Sequence, residues 1–174
     1  YFYTSTISLK TKLEASKGII AEMKRKSPSA GMIFPKLDPT TQATKYQAQG
    51  ACAISVLTDN NYFGGSLLDL QAVRKVAVLP ILQKDFIIDE YQLFEAKANG
   101  ADVVLLIAAA LSKEKCLHLS IIAKSLNLEV ILEIHAEHEL AYIHEDIDFI
   151  MVNNRNLHLQ QTNIQQSLKL RPYL

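Results

Sequence analysis

Six short apolar runs punctuate the chain: Ile19-Ile20-Ala21, Ala53-Ile54-Ser55-Val56-Leu57, Pro80-Ile81-Leu82, Val103-Val104-Leu105-Leu106-Ile107, Val130-Ile131-Leu132 and Phe149-Ile150-Met151-Val152. Each has strand length and few alternating polar positions, which is how strands buried on both faces of a parallel sheet read. Segments with helical spacing lie between them, as in Leu67, Leu70, Val73 and Val76, and in Leu117, Ile121 and Leu128. Ser66 with Asp69, Asp89 with Gln92, and Ser112 mark helix entries, because each offers a side-chain oxygen to free backbone N–H groups. Gly100 suits a helix exit.

Strands therefore alternate with helices, and strand starts recur every roughly 20 to 33 residues, near the ~30 per unit of an eight-unit barrel. No linker rich in Pro, Gly or Ser divides the chain, so residues 1–174 read as a single α/β domain, a (β/α)8 TIM barrel represented by about six βα units. An open doubly wound sheet is the alternative. The first run, however, is followed by Lys24-Arg25-Lys26-Ser27-Pro28-Ser29, which contains no glycine-rich dinucleotide fingerprint.

Composition narrows the function classes. Eighteen basic and eighteen acidic residues cancel, so no broad field favours nucleic acid or an anionic membrane as partner. The two cysteines, Cys52 and Cys116, match no zinc or redox spacing and are too few for a disulfide framework, which fits a reducing cytoplasm. Residues 1–18 have neither a signal peptide's apolar segment nor a membrane span. The start at Tyr1 and the abrupt end at Arg171-Pro172-Tyr173-Leu174 lead us to expect a piece of a longer protein.

Candidate chemistry gathers at the carboxyl ends of the apolar runs, where barrel enzymes place their active sites. The first run ends in Glu22-Met23-Lys24, the third in Lys84-Asp85-Phe86, the fifth in Glu133-Ile134-His135 and the sixth in Asn153-Asn154-Arg155. Residues two apart on a strand share a face, so one rim is expected to collect Glu22, Lys24, Lys84, Glu133, Asn153 and Arg155. Opposed lysines and carboxylates beside apolar walls are equipped for proton transfer, although the residue types alone select no reaction. Taken singly, each has a plainer reading: Lys24-Arg25-Lys26 as a solvated basic turn, Lys84 as a surface lysine, Glu133 as a rim salt bridge, Asn153 and Arg155 as loop braces, Phe63 and Phe86 as core. His135 and His138 straddle a strand end and a helix start, a poor arrangement for a metal, while His118, His144 and His158 are expected to face solvent or make local hydrogen bonds.

Five motifs in collinear order decide among these readings. Residues 19–31 from Ile19-Ile20-Ala21-Glu22-Met23-Lys24 to Ala30-Gly31, then Ala53-Ile54-Ser55-Val56-Leu57-Thr58-Asp59 with Tyr62-Phe63-Gly64-Gly65-Ser66, Lys84-Asp85-Phe86-Ile87-Ile88-Asp89, Leu132-Glu133-Ile134-His135 and Asn153-Asn154-Arg155-Asn156-Leu157 together resemble the indole-3-glycerol phosphate synthase family. The resemblance implies a carbon-carbon lyase of tryptophan biosynthesis. Its reaction is ring closure and decarboxylation of 1-(2-carboxyphenylamino)-1-deoxyribulose 5-phosphate to indole-3-glycerol phosphate. It implies no cofactor and no metal. Catalytic positions would be Lys84 as general acid, Glu133 as general base and Lys24, with Glu22 and Asn153 orienting groups by hydrogen bonding. Arg155 would bind the anthranilate end, Ser27 and Pro28 would shape the loop after the first strand, and Phe63, Phe86 and Leu105 would form the slot for the aromatic ring.

The implied partners are a small phosphorylated substrate and, optionally, other tryptophan-pathway enzymes by fusion or association. Gln83 and Met151 depart from the family pattern, which often has a basic residue and a glycine there. The resemblance also implies two further strands with phosphate-binding loops, and a helix before the first strand that is largely absent here. The 174 residues alone are therefore expected to be poorly soluble or inactive. Two other functions compete with the lyase: a metal-dependent phosphosugar barrel, for which paired His and Asp ligands are missing, and a catalytically silent half-barrel that assembles with a partner piece.

Overall fold

The structure is a computed structural model and describes residues 5–15, 18–155 and 162–174, so Asn156, Leu157 and His158 lie outside the described residues. Its centre is a six-stranded sheet formed by β1 (Ile20–Met23), β4 (Ala53–Leu57), β5 (Ile81–Lys84), β6 (Val103–Ile107), β7 (Glu129–Ile134) and β8 (Phe149–Val152). All five pairings are parallel and join neighbours in that order. The sheet curls, and the loops after its two edge strands meet where Arg155 Nη1 donates to Ser29 Oγ at 2.5 Å.

Period-two alternation sorts the side chains of this curled sheet. Val104, Leu106, Val130, Leu132, Ile134, Ile54, Val56 and Ile81 face outward and are buried under the helices α2 (Pro39–Ala48), α4 (Leu67–Val76), α5 (Glu90–Ala98) and α6 (Lys113–Ser125). Ala53, Leu82, Val103, Leu105, Ile107 and Ile131 face inward, with Ile20, Phe149 and Met151 packed against them. β4 and β6 are buried at every position, which explains their uninterrupted apolar runs.

The expected caps are present. Ser66 and Ser112 accept from the N–H groups of Asp69 and Lys115, and Asp89 with Gln92 forms a capping box. Gly100 follows α5 with φ 93°. Elsewhere the helical reading needs correction. Leu117 and Ile121 are 43% and 51% exposed, because the buried face of α6 is Cys116, Leu119, Ser120 and Ala123. The small members of that set let the helix approach the sheet closely, and a search for large apolar residues finds the opposite face. Leu128 is buried but lies beyond the helix, and Val76 ends α4 partly exposed. A 3-10 helix, Glu137–Tyr142, stands between β7 and β8 in place of an α-helix.

The helix before the first strand, expected to be largely absent, is present as a short segment, and further short elements that were not anticipated stand in the loops. Helix α1 (Leu9–Glu14) precedes β1, and its Leu9 is fully buried in the inward-facing cluster. Glu129 fixes it by accepting from Ser8 Oγ at 2.7 Å and Leu9 N at 2.6 Å. Strands β2 (Lys26–Ser27) and β3 (Gly31–Met32) form a hairpin in the loop after β1, and α3 (Asn60–Phe63) follows β4. Beneath the sheet, Asp102 accepts from Ile7 N, Ile81 N and Arg74 Nη1, a set of bonds that opposes the upward push of burial on its pKa.

Gly65 holds the loop after β4 against the strand end. A Cβ there would lie 1.9 Å from the Leu57 carbonyl oxygen, whereas Gly31, with φ 65°, has nothing within 4 Å of its added Cβ. Gly65→Ala is therefore expected to destabilise the chain by upward of ~3 kcal/mol through a backbone clash. Gly31→Ala is expected to cost only ~1 kcal/mol of left-handed strain. Urea midpoints of the two variants check this, and equal losses would contradict it.

Candidate active site

The inward-facing parity that fills the curled sheet with apolar side chains turns polar at and just beyond the carboxyl ends of the strands. Lys84 follows Leu82, Glu133 follows Ile131, and Asn153 follows Met151 on the same face. A cleft of about 810 Å³ opens there, and its lining includes Lys24, Ser27, Pro28, Phe63, Lys84, Phe86, Leu105, Glu133, Asn153 and Arg155. Ten of the eleven candidate site residues thus meet around one space. Glu22 does not line the cleft and reaches it only through Lys24, whose Nζ is 2.5 Å from Glu22 Oε1.

One wall is aromatic. The Phe63 and Phe86 rings stack with centroids 6.4 Å apart and planes inclined at 27°, and Tyr62 meets Phe86 edge-on at 6.3 Å. Lys24 Nζ lies 6.0 Å from the Phe63 centroid, which places a cation over this wall. The basic triplet divides its work: Arg25 turns away from the cleft, donating to both Asp69 oxygens at 2.5 and 2.9 Å and to the carbonyls of Gly64 and Leu37. This bidentate clamp anchors the hairpin loop to α4, and the Asp69 contact raises the Arg25 pKa. Ser27 closes the hairpin by accepting from Ala30 N at 3.1 Å.

Glu133 is the most buried charged group in the cleft, with 3% of its side chain exposed. Asn153 Nδ2 donates to its Oε1 at 2.8 Å, and Lys84 Nζ stands 3.9 Å from its Oε2. His135 Nε2 is 3.2 Å from the same Oε1, and His135 Nδ1 is 3.7 Å from Glu139 Oε2. Burial works against the Glu133 carboxylate, yet His135, Lys84 and Asn153 together hold its pKa below the ordinary 4.5. The Glu133 carboxylate, opposed by burial and aided by Glu139, holds His135 above the ordinary 6.5. Glu133 is thus ionised at neutral pH, opposite an ammonium group.

With this geometry established, comparison with known proteins is decisive. The sequence profile of the indole-3-glycerol phosphate synthase family matches residues 3–174. The chain belongs to that family. An indole-3-glycerol phosphate synthase from Bacteroides thetaiotaomicron is 52% identical over 164 residues, which cover 94% of this chain and 63% of that protein. The Chromobacterium violaceum synthase is 45% identical over 155 residues, covering 88% of this chain and 58% of its own length. The chain spans about three-fifths of the length of the curated relatives it matches. Among solved structures, the tryptophan synthase alpha subunit of Legionella pneumophila superposes with a TM-score of 0.56 at 15% identity, covering 83% of this chain and 65% of that one. That likeness concerns the fold alone.

Several residues of this synthase-family cleft escaped the sequence reading. Ile107 and Met151 line it on the same parity as Leu105 and Asn153, a signal that two-residue spacing contained. Met151 therefore faces the interior. Gln83 points the other way and donates to Thr58 Oγ1 at 3.1 Å, and Thr58 in turn donates to Asp85 Oδ2. His135 faces Glu133 and Glu139, while His118 contacts Glu90 at 3.2 Å and His144 Nε2 meets Ser120 Oγ at 3.2 Å. Among the described residues no helix is long and apolar enough to cross a membrane.

The two shifted pKa values set a stability window. His135, raised, stabilises the fold fully below its unfolded value of 6.5 and loses that contribution as pH rises through its folded value. Glu133, lowered, contributes above 4.5 and loses that contribution as pH falls through its depressed value. The Tm of the wild-type chain relative to Glu133→Gln is expected to be most favourable between pH 4.5 and 6.5 and to decline on both sides. A Tm difference that is flat across this range would contradict the pairing.

Proposed function

We propose that the protein to which this chain belongs converts 1-(2-carboxyphenylamino)-1-deoxyribulose 5-phosphate to indole-3-glycerol phosphate, with loss of carbon dioxide and water. The observation that carries this reading is the pair Lys84 and Glu133, 3.9 Å apart on the inner face of the sheet and flanked by the stacked Phe63 and Phe86. Lys84 protonates the ribulose carbonyl oxygen as the aromatic carbon attacks that carbonyl carbon, forming the new ring bond. Carbon dioxide then leaves from the attacking ring carbon and its bonding pair restores the ring. The hydroxyl next takes a second proton, from Lys24, and departs as water while the neighbouring carbon loses a proton and its C–H pair forms the new double bond. Glu133 accepts the proton released in that last step, while Lys84 has supplied one to oxygen.

Phe63, Phe86 and Leu105 hold the anthranilate ring over the carbonyl, which makes the attack effectively unimolecular. Arg155 meets its carboxylate with a planar guanidinium, and Lys24, held by Glu22, supplies a second positive group for carboxylate or phosphate. Asn153 orients Glu133, and Ser27 and Pro28 shape the loop that covers the ligand. On this reading the domain, residues 1–174, is the six-strand part of a (β/α)8 barrel in the cytoplasm. Its partners are the phosphorylated substrate and, by fusion or association, other enzymes of the tryptophan pathway.

The exposed edges of β1 and β8 support a further statement about the chain by itself. Each presents an unpaired row of backbone groups beside an open interior, among the described residues. The 174 residues alone are expected to show no turnover. In the complete gene product, Lys84→Ala is expected to lower kcat by at least ~10²-fold while leaving the circular dichroism spectrum unchanged. Steady-state assays check both statements, and retained turnover by Lys84→Ala would remove the assigned role.

A further inference from the structure

Glu133 uses its two oxygens unequally. Oε1 accepts from Asn153 Nδ2 at 2.8 Å and is also contacted by His135 Nε2 at 3.2 Å. Oε2 is buried without a hydrogen-bond partner, and its nearest charged neighbour is Lys84 Nζ at 3.9 Å. A buried carboxylate oxygen left open in this way is costly unless a ligand uses it. The imidazole that contacts Oε1 is itself confined, with 11% of its side chain exposed.

His135 is held from three directions. Glu139, on the 3-10 helix after β7, accepts from the backbone N–H groups of His135 and Ala136, and its Oε2 lies 3.7 Å from His135 Nδ1. From α7 (Gln165–Leu170), Gln166 Nε2 donates to the His135 carbonyl at 2.7 Å. Register across the sheet supplies the rest, since Glu133 pairs with Met151 and brings Asn153 alongside. The imidazole therefore lies between two carboxylates, one in the cleft and one behind it. Its nitrogens touch both without the alignment of full hydrogen bonds, so the attraction is chiefly that of charge.

We infer that His135 is a positioning residue for Glu133: wedged between Glu133 and Glu139, it shares Oε1 with Asn153 and leaves Oε2 as the oxygen that meets the ligand opposite Lys84. This inference deepens the lyase reading and rests on it for the role of Glu133. Charge and placement both matter. As an imidazolium, His135 favours the ionised carboxylate, so Glu133 stays deprotonated in an apolar wall, and as a wedge it stops the carboxylate from rotating Oε2 away from the cleft. The other groups facing the pair are Lys84 from β5, Asn153 beyond β8 and Glu139, and none of these replaces a cation on the Oε1 side.

Two measurements on the complete gene product separate this inference from the lyase reading. With 15N-labelled histidine, the His135 resonances are expected to titrate above pH 6.5 in the wild type and to fall in Glu133→Gln, whether or not the protein turns over substrate. Titration below that value, or indifference to Glu133→Gln, overturns the proposal. In steady-state assays, His135→Ala is expected to lower kcat about 10-fold with little change in KM, and to move the acid limb of the pH profile to higher pH, because Glu133 loses its cationic neighbour. His135→Gln, whose amide can still donate to Oε1, is expected to recover kcat at alkaline pH while leaving the limb displaced. An acid limb unmoved in both variants overturns the positioning role. Absence of turnover in the wild type defeats the lyase reading and leaves the NMR titration to decide the pairing.

Discussion

A parallel strand buried on both faces has only its ends on which to place charge, and that constraint organises this molecule. Within β6 and β4 every side chain is buried, so no ionisable group could stand there without a partner. At the carboxyl ends the inward parity passes from Leu82 to Lys84 and from Ile131 to Glu133 within one pleat, while the outward-facing Ile134 stays buried. The apolar interior and the polar cleft are thus one row of side chains, which turns polar in the last residues of the strands. Curling brings these ends together, and the bridge from Arg155 to Ser29 ties the outermost loops across the opening.

The same constraint accounts for the electrostatics. Glu133 stays ionised despite its burial because Lys84, Asn153 and His135 reach it from three different parts of the chain. Lys24 is paired with Glu22 and rests over Phe63, so its position is set by one anion and one ring. Groups that serve the fold sit elsewhere: Arg25 clamps the first loop to α4, and Asp102 gathers backbone donors and Arg74 at the opposite end of the sheet.

Much of this was legible from residue order. The runs beginning at Ala53 and Val103 coincide with β4 and β6, because these parallel strands bury both faces, and the run beginning at Phe149 coincides with β8, an edge strand that is only partly buried. The capping residues were legible because Ser66, Asp89 and Ser112 bond locally. The face of α6 was not, since it packs through Cys116, Ser120 and Ala123, whose small size matters more than their hydrophobicity. Helix α1 was expected to be largely absent, and its short segment holds because Glu129, more than a hundred residues away in sequence, supplies what anchors it. The role of His135 depends on Glu139 folding back through a 3-10 turn, a conformation that no spacing rule announces.

On the proposed reading, Lys84 and the open oxygen of Glu133 bracket a ligand ring held by Phe63 and Phe86. A crystal structure of the complete gene product with indole-3-glycerol phosphate bound tests it most directly. The indole is expected against those two phenylalanines, with Lys84 Nζ and Glu133 Oε2 both within hydrogen-bond reach of the ligand. A ligand seated elsewhere, or a Glu133 carboxylate turned so that Oε1 and not Oε2 faces it, would contradict the account.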